Sequence, residues 1–359
     1  MTATSERLLE RDAEVARLRR ALAAATDGAG GVTVLAAPAG LGKTALLEAA
    51  LAEAAANGLR PLTARAGELE QEFAFGVVRQ LVEPAVVAAS DEERARLLSG
   101  AARRAATVLD LEPDAALDRD VHATLHGLYW LLLNLAADGP LVLAIDDLQW
   151  ADEPSLRCLA YVARRLEGVP LAIVATMRTE AAGGRVELPD AATDSASAVA
   201  ATAARLTAIE ELLAGPGAER IEPAPLSVEA VAELLERALG RPSEPAFATA
   251  CRAHTAGNPF LLSEVVAELA AEGVAPTAAR AAELERIVPT RVGETLRRHL
   301  ARLAPDARAL AAAVAVLGEG AELPVAAELA ALGRARAAVV AAELVGAQVL
   351  APAAAPRFR

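Results

Sequence analysis

Lysine is almost missing from this chain: of its 35 basic residues, Lys43 is the single lysine and the rest are arginine. Aromatic residues supply only 3% of the 359 positions, so the core must come from alanine, leucine and valine within a 54% hydrophobic composition, which favours helix-rich globular domains. The two cysteines, Cys158 and Cys251, make no disulfide framework and have no metal-ligand spacing. They are expected to be reduced thiols in a cytoplasmic core. Long apolar runs are missing as well. Mean hydropathy is +0.31, yet stretches such as Tyr129 to Ala137 and Ala309 to Leu317 fall short of the roughly 20 residues that span a bilayer. The charges of Glu6, Arg7, Glu10, Arg11 and Asp12 are not those of a signal peptide. A net charge of −13 repels phosphate backbones and makes the chain as a whole a poor nucleic-acid binder.

What is present is a glycine loop. Val32-Thr33-Val34-Leu35-Ala36 reads as a buried strand that breaks into Ala37-Pro38-Ala39-Gly40-Leu41-Gly42-Lys43-Thr44. Phosphate binding asks for a turn of converging backbone N–H groups, a lysine for the β- and γ-phosphates and a hydroxyl for Mg²⁺. Pro38, Ala39, Gly40, Leu41, Gly42, Lys43, Thr44 and Ala45 are the residues expected at phosphate, and a helix from Ala45 to Ala56 would add its N-terminal dipole. A flexible ammonium enters such a nest where a planar guanidinium fits badly, and the one lysine of the chain stands there. The usual pattern opens with glycine where this chain has Ala37.

The surrounding order alternates strand and helix, which argues for a right-handed parallel α/β sheet. An amphipathic helix is expected over Ser5 to Thr26, a strand over Leu59 to Ala66, and helices over Glu68 to Val87, Asp91 to Leu109 and His122 to Ala137, with an acidic loop from Asp110 to Asp120. Leu141-Val142-Leu143-Ala144-Ile145-Asp146-Asp147 is a second buried strand, ending in two acids where open sheets bind ligands. In loop proteins of this kind the first acid holds Mg²⁺ and a neighbour can activate the attacking water, which points to Asp146 and Asp147. Alone, the stretch reads equally well as a strand followed by an Asp-capped turn. A helix over Pro154 to Arg165 leads to strand Leu171 to Arg178, and Arg178 at its C-terminal end is a candidate γ-phosphate sensor, with a solvated strand end as the bland alternative.

Ala181 to Ala204 is poor in large apolar residues and reads as a surface insertion, and Pro223-Ala224-Pro225 as a domain boundary. This divides the chain into a nucleotide-binding domain over 1–222, a helical domain over 223–288 with helices Ser227 to Leu239, Glu244 to Thr255 and Pro259 to Glu272, and a third domain over 289–359. Gly257-Asn258-Pro259-Phe260 reads as a helix stop followed by a new helix start, or as a nucleotide contact. From residue 290 onward nine arginines face six acids, on helices expected at Arg291 to Leu303, Asp306 to Leu317, Pro324 to Leu332 and Arg334 to Val345. With Val349 to Pro352 and Arg357 to Arg359 these suit a winged helix cut short in its wing, whose basic helices are expected to pack within the molecule, with DNA contact as the alternative.

Taken in order, Leu8-Leu9-Glu10-Arg11-Asp12-Ala13-Glu14, the loop from Ala37 to Thr44, Phe75 to Leu81, Asp146-Asp147-Leu148-Gln149-Trp150-Ala151-Asp152 and Gly257 to Phe260 resemble the ATPase core of the large ATP-binding LuxR-type transcriptional regulators. These are STAND-class signal-transduction ATPases, abundant in actinobacteria. The resemblance implies a parallel-sheet P-loop domain, a helical lid and a winged helix that close over ATP or ADP and switch assembly state, with slow Mg²⁺-dependent hydrolysis. It implies Lys43 and Thr44 on phosphate and Mg²⁺, Asp146 on the metal, Asp147 as base, Arg178 as sensor, Pro259 near adenine, and Arg11 in the segment flanking the adenine pocket. Self-association or a protein partner follows from it. DNA contact belongs, in that family, to a C-terminal helix-turn-helix domain that these residues do not include, so the chain is expected to be an N-terminal fragment or a truncated relative. A nucleotide-binding scaffold without hydrolysis and a small-molecule kinase are the competing readings.

Overall fold

The computed structural model describes residues 8–109, 121–179, 196–215, 217–286, 304–318, 321–346, 350 and 357–358. They form two compact units, Met1–Leu226 and Ser227–Arg359.

In the first unit α1 (Asp12–Thr26) leads into β1 (Val32–Ala37), α2 (Lys43–Ala56), β2 (Arg60–Arg65), α3 (Gly76–Ala88), α4 (Asp91–Leu97), α5 (Ala105–Val108), α6 (Val121–Ala136), β3 (Leu141–Asp146), α7 (Glu153–Ala163), β4 (Leu171–Arg178), α8 (Ala196–Leu213) and β5 (Ala218–Ile221). The sheet is parallel throughout, in the order β2-β3-β4-β1-β5. Every residue of β1 and β3 is buried, because helices cover both faces. Successive side chains point to opposite faces. Val32, Val34, Leu143, Ile145, Ile173 and Ala175 therefore join the core under α3, α6, α7 and α8, whereas Leu35, Val142, Ala144 and Val174 join the core under α1 and α2.

Several expected elements are shorter than their sequence pattern. α1 starts at Asp12, and the described residues before it, from Leu8, are not helical. The stretch from Glu68 is one 3₁₀ turn and a loop before α3, because Phe75 takes a left-handed φ of 60°. The buried Asp152 carboxylate accepts the Phe75 and Val77 N–H groups at 2.8 and 3.2 Å and so fixes where α3 begins. The arginine-rich helix from Asp91 is broken at Ser99 and Gly100 into α4, a 3₁₀ turn and α5. Within the expected insertion, Ala196 to Ala204 is helical and belongs to α8, in keeping with its alanine content, while 181–195 lie outside the described residues. β5 has no counterpart in the sequence reading. It exists by pairing its residues with Val32 to Leu35 of β1.

The second unit holds α9 (Val228–Leu239), α10 (Pro245–Thr255), α11 (Pro259–Ala271), α12 (Pro305–Leu317), β6 (Ala321–Glu322), α13 (Leu323–Leu329), α14 (Arg334–Gly346) and β7 (Arg357–Phe358). Ser227 caps α9 through the Ala230 N–H at 3.1 Å. Leu310, Val314, Ala326, Val340 and Leu344 make a separate small core, and β6 and β7 pair antiparallel. The helix expected at Arg291 to Leu303, the acidic loop, and the strand at Val349 to Pro352, save Leu350, lie outside the described residues. Among the described residues no helix is long and apolar enough to cross a membrane.

Candidate functional site

β1 ends at Ala37 and its chain turns through Pro38 to Gly42 into α2. The turn needs two left-handed positions, and they fall at Gly40 (φ 81°) and Gly42 (φ 83°), which glycine takes without strain. Gly42 is the N-cap of α2, so Lys43, Thr44 and Ala45 form the first turn of a 14-residue helix whose N-terminal dipole faces the loop. Lys43 is buried and folds back over the loop, with Nζ donating to the Ala37 and Pro38 carbonyls at 2.8 Å each.

β4 lies between β1 and β3, so its C-terminal end separates the loop from the acids. Thr44 Oγ1 still meets the Asp146 carboxylate, at 3.2 and 3.3 Å. From β4, the fully buried Thr176 donates its hydroxyl to Asp146 Oδ1 at 2.6 Å and accepts the Asp147 N–H at 2.8 Å. One hydroxyl thus ties the two acids together. Arg178, opposite Ala37 in the strand register, has Nε 3.6 Å from Asp147 Oδ1. Gln149 donates from Nε2 to the same Asp147 oxygen at 2.9 Å. On the other side Arg65, opposite Asp146 in register, reaches Asp146 and Asp147 at 3.9 Å each. A cleft of about 330 Å³ runs beside Thr44, Glu48, Thr63, Arg65, Gln80 and Asp146.

The sequence-derived candidates Lys43, Thr44, Asp146, Asp147 and Arg178 therefore stand together at the C-terminal ends of three strands. Arg11 is nearly buried and donates to the Ala224 carbonyl at 2.7 Å and to the Glu10 carbonyl at 3.0 Å, fastening the start of α1 to the segment after β5. Pro259 is in the second unit as the first residue of α11, where Asn258 Oδ1 accepts the Phe260 and Leu261 N–H groups. The helix-stop-and-start reading of Gly257 to Phe260 is what the backbone shows there, with Ala256 and Gly257 both left-handed.

Thr176, Gln149 and Arg65 were not among the sequence candidates. Thr176 had a local signal, a hydroxyl within an otherwise apolar buried strand. Arg65 had none, because strand register brings it in, and Gln149 stood in the Asp146 to Asp152 stretch without a role of its own until the turn after β3 placed it.

The donors suit a hard divalent cation. Thr44 and Asp146 present oxygen alone, and among the described residues no group of three or more His, Cys, Asp or Glu side chains converges as a metal site of the protein's own. Loop, helix N-terminus and lysine together form an anion cradle next to that pair. An anion and a cation held side by side by a parallel sheet, at the point where β4 parts the loop strand from the acid strand, are what the P-loop NTPase fold provides, and this chain has that fold. Within it, residues 7–174 match the family model of the AAA ATPase domain.

Among solved structures, the chain is similar to a Walker-type ATPase of Pyrococcus abyssi, at 17% identity and a TM-score of 0.55 over 100% of this chain and 95% of the other. A STAND protein with a tetratricopeptide repeat sensor from Pyrococcus horikoshii overlaps 97% of this chain and 40% of its own, at 14% identity and a TM-score of 0.45. RuvB of Thermotoga maritima overlaps 96% and 90%, at 16% identity and a TM-score of 0.41. No curated protein matches.

Proposed function

We propose that this chain is an ATP- and ADP-binding signal-transduction ATPase module, a nucleotide-dependent switch of conformation and self-association in a transcriptional regulator, with slow Mg²⁺-dependent hydrolysis. The observation that carries it is the meeting of Thr44 and Asp146 at 3.2 Å beside the buried lysine of a glycine loop. In this reading the backbone from Pro38 to Ala45 and the Lys43 ammonium hold the phosphates, and Thr44 and Asp146 hold Mg²⁺. The metal neutralises phosphate charge when bound. Asp147 orients and deprotonates the attacking water, and Arg178 answers to the γ-phosphate from the end of β4. Arg11 supports the adenine side through its clamp on Ala224, while Pro259 belongs to a helical lid domain over 223–288, followed by a winged helix over 289–359. The match of residues 7–174 to an AAA ATPase domain supports the chemistry, and the resemblance to LuxR-type regulators supports the switch.

Phosphate release by wild type, Lys43→Ala and Asp147→Asn tests it. Wild-type turnover, abolished in Lys43→Ala with nucleotide binding weakened roughly 10- to 100-fold and abolished in Asp147→Asn with binding retained, is the expected result. Unchanged turnover in Asp147→Asn removes the base assignment. A wild type that binds nucleotide and never releases phosphate is a scaffold.

A further inference from the structure

Arg205 on α8 is 5% exposed and has no part in the chemistry above. Burial pushes its guanidinium below the ordinary range, against the pull of Asp152, and among the described residues its Nε has no hydrogen-bond partner. A guanidinium placed at such a cost marks contacts that matter to the fold around it. Its two terminal nitrogens donate to the Gln149 carbonyl and to Gln71 Oε1.

Gln149 is itself wholly buried. Its side-chain amide divides between the two residues proposed above as base and sensor: Nε2 donates to Asp147 Oδ1 at 2.9 Å, and Oε1 accepts the Arg178 N–H at 3.0 Å. Asp147 holds a left-handed backbone (φ 58°). That conformation is uncommon outside glycine, and a non-glycine residue keeps it where the surroundings hold it. Here the surroundings are the Thr176 hydroxyl on the Asp147 N–H and the Gln149 amide on its carboxylate.

We propose that Gln149, braced from α8 by Arg205, is a positioning residue that sets the Asp147 carboxylate against Arg178. Neither Gln149 nor Arg205 touches ligand in this account. The amide fixes both donor and acceptor directions at once, which methionine of similar length cannot do and glutamate can do only by half, bringing a like charge to Asp147. The inference rests on the ATPase reading given above, in which Asp147 is the base.

The test measures ATP affinity, phosphate release and thermal midpoint for wild type, Gln149→Met, Gln149→Glu and Arg205→Met. Gln149→Met is expected to bind ATP within about threefold of wild type and to lose roughly 10- to 100-fold in turnover, the scale of a misplaced catalytic group. Gln149→Glu loses at least as much. Arg205→Met loses in the same direction, and the double variant Gln149→Met with Arg205→Met falls no further than the worse single, since the two act as one unit. Wild-type turnover in Gln149→Met overturns the proposal. So does a parallel fall of affinity, midpoint and turnover, which marks a structural role only. If Gln149→Met does not fold, Gln149→Asn, one methylene shorter, separates the same outcomes. Failure of the underlying reading looks different. A wild type that binds nucleotide without releasing phosphate removes the base and its positioning but leaves the binding site, and a wild type that binds no nucleotide removes all three.

Discussion

Ala37 stands where the loop pattern has glycine, and the backbone shows why alanine serves. It is the last residue of β1 and is not among the left-handed residues, so a Cβ costs nothing in φ. What the loop takes from it is a carbonyl for Lys43. Ala37→Gly is accordingly expected to leave ATP affinity within about threefold and to lower stability by about 0.5–1 kcal/mol through chain entropy, measured by binding titration and urea unfolding. Gly30 is the opposite case. A Cβ there would stand 2.4 Å from the Leu171 carbonyl and 2.9 Å from that of Val169. Gly30→Ala should cost about 2 kcal/mol, the range of overpacking, and a urea midpoint equal to wild type would contradict the close approach. In sequence Gly30 reads only as a breaker. Lys43, Thr44 and Asp146 were legible because each sits in a short contiguous pattern. Thr176 shows in sequence only as a hydroxyl in an apolar strand, and its place beside Asp146 comes from the pairing of β3 with β4, as that of Gln149 beside Asp147 comes from one turn.

Among the elements, α3 and α7 depend on one carboxylate. Asp152 caps α7 by accepting the Ser155 N–H at 2.8 Å, and the same side chain holds the Phe75 and Val77 N–H groups at the start of α3. Asp152→Ala leaves three buried N–H groups without that acceptor and is expected to cost about 3 kcal/mol in urea unfolding. A loss under about 1 kcal/mol, the size of a single exposed cap, would show that the two helices are not joined this way. Sequence periodicity found α2, α6, α7, β1, β3 and β4 because their apolar pattern is unbroken. It ran helix across Glu68 to Phe75 because the competing acceptor, Asp152, is 77 residues from Phe75. β5 was missed because two of its four residues, Glu219 and Arg220, are charged, and its strand state comes from β1.

At the scale of the whole molecule, each unit carries one buried thiol, Cys158 in the first and Cys251 in the second, and burial pushes both up to about 12. A thiol whose folded value lies above its unfolded value near 9 favours the folded state fully below that pH. The contribution is lost as pH rises from about 9 toward 12, where only the unfolded chain releases the proton readily. The expected result is a falling unfolding free energy across that window and a shallower fall in the double variant Cys158→Ala with Cys251→Ala, followed by urea titration at each pH. An unchanged slope would contradict the burial. At neutral pH both thiols should resist alkylation in the native chain and react in denaturant. The parallel sheet flanked by helices and the helix-rich character of the chain were legible in the sequence, since they rest on composition and period.

The central claim is that Lys43, Thr44 and Asp146 bind a magnesium nucleotide, and calorimetric titration of ATP with Mg²⁺ into wild type and Lys43→Ala tests it most directly. Saturable one-to-one binding by wild type, weakened roughly 10- to 100-fold by loss of the charged hydrogen-bond donor, is the predicted result. Lys43→Ala binding ATP as tightly as wild type would contradict it.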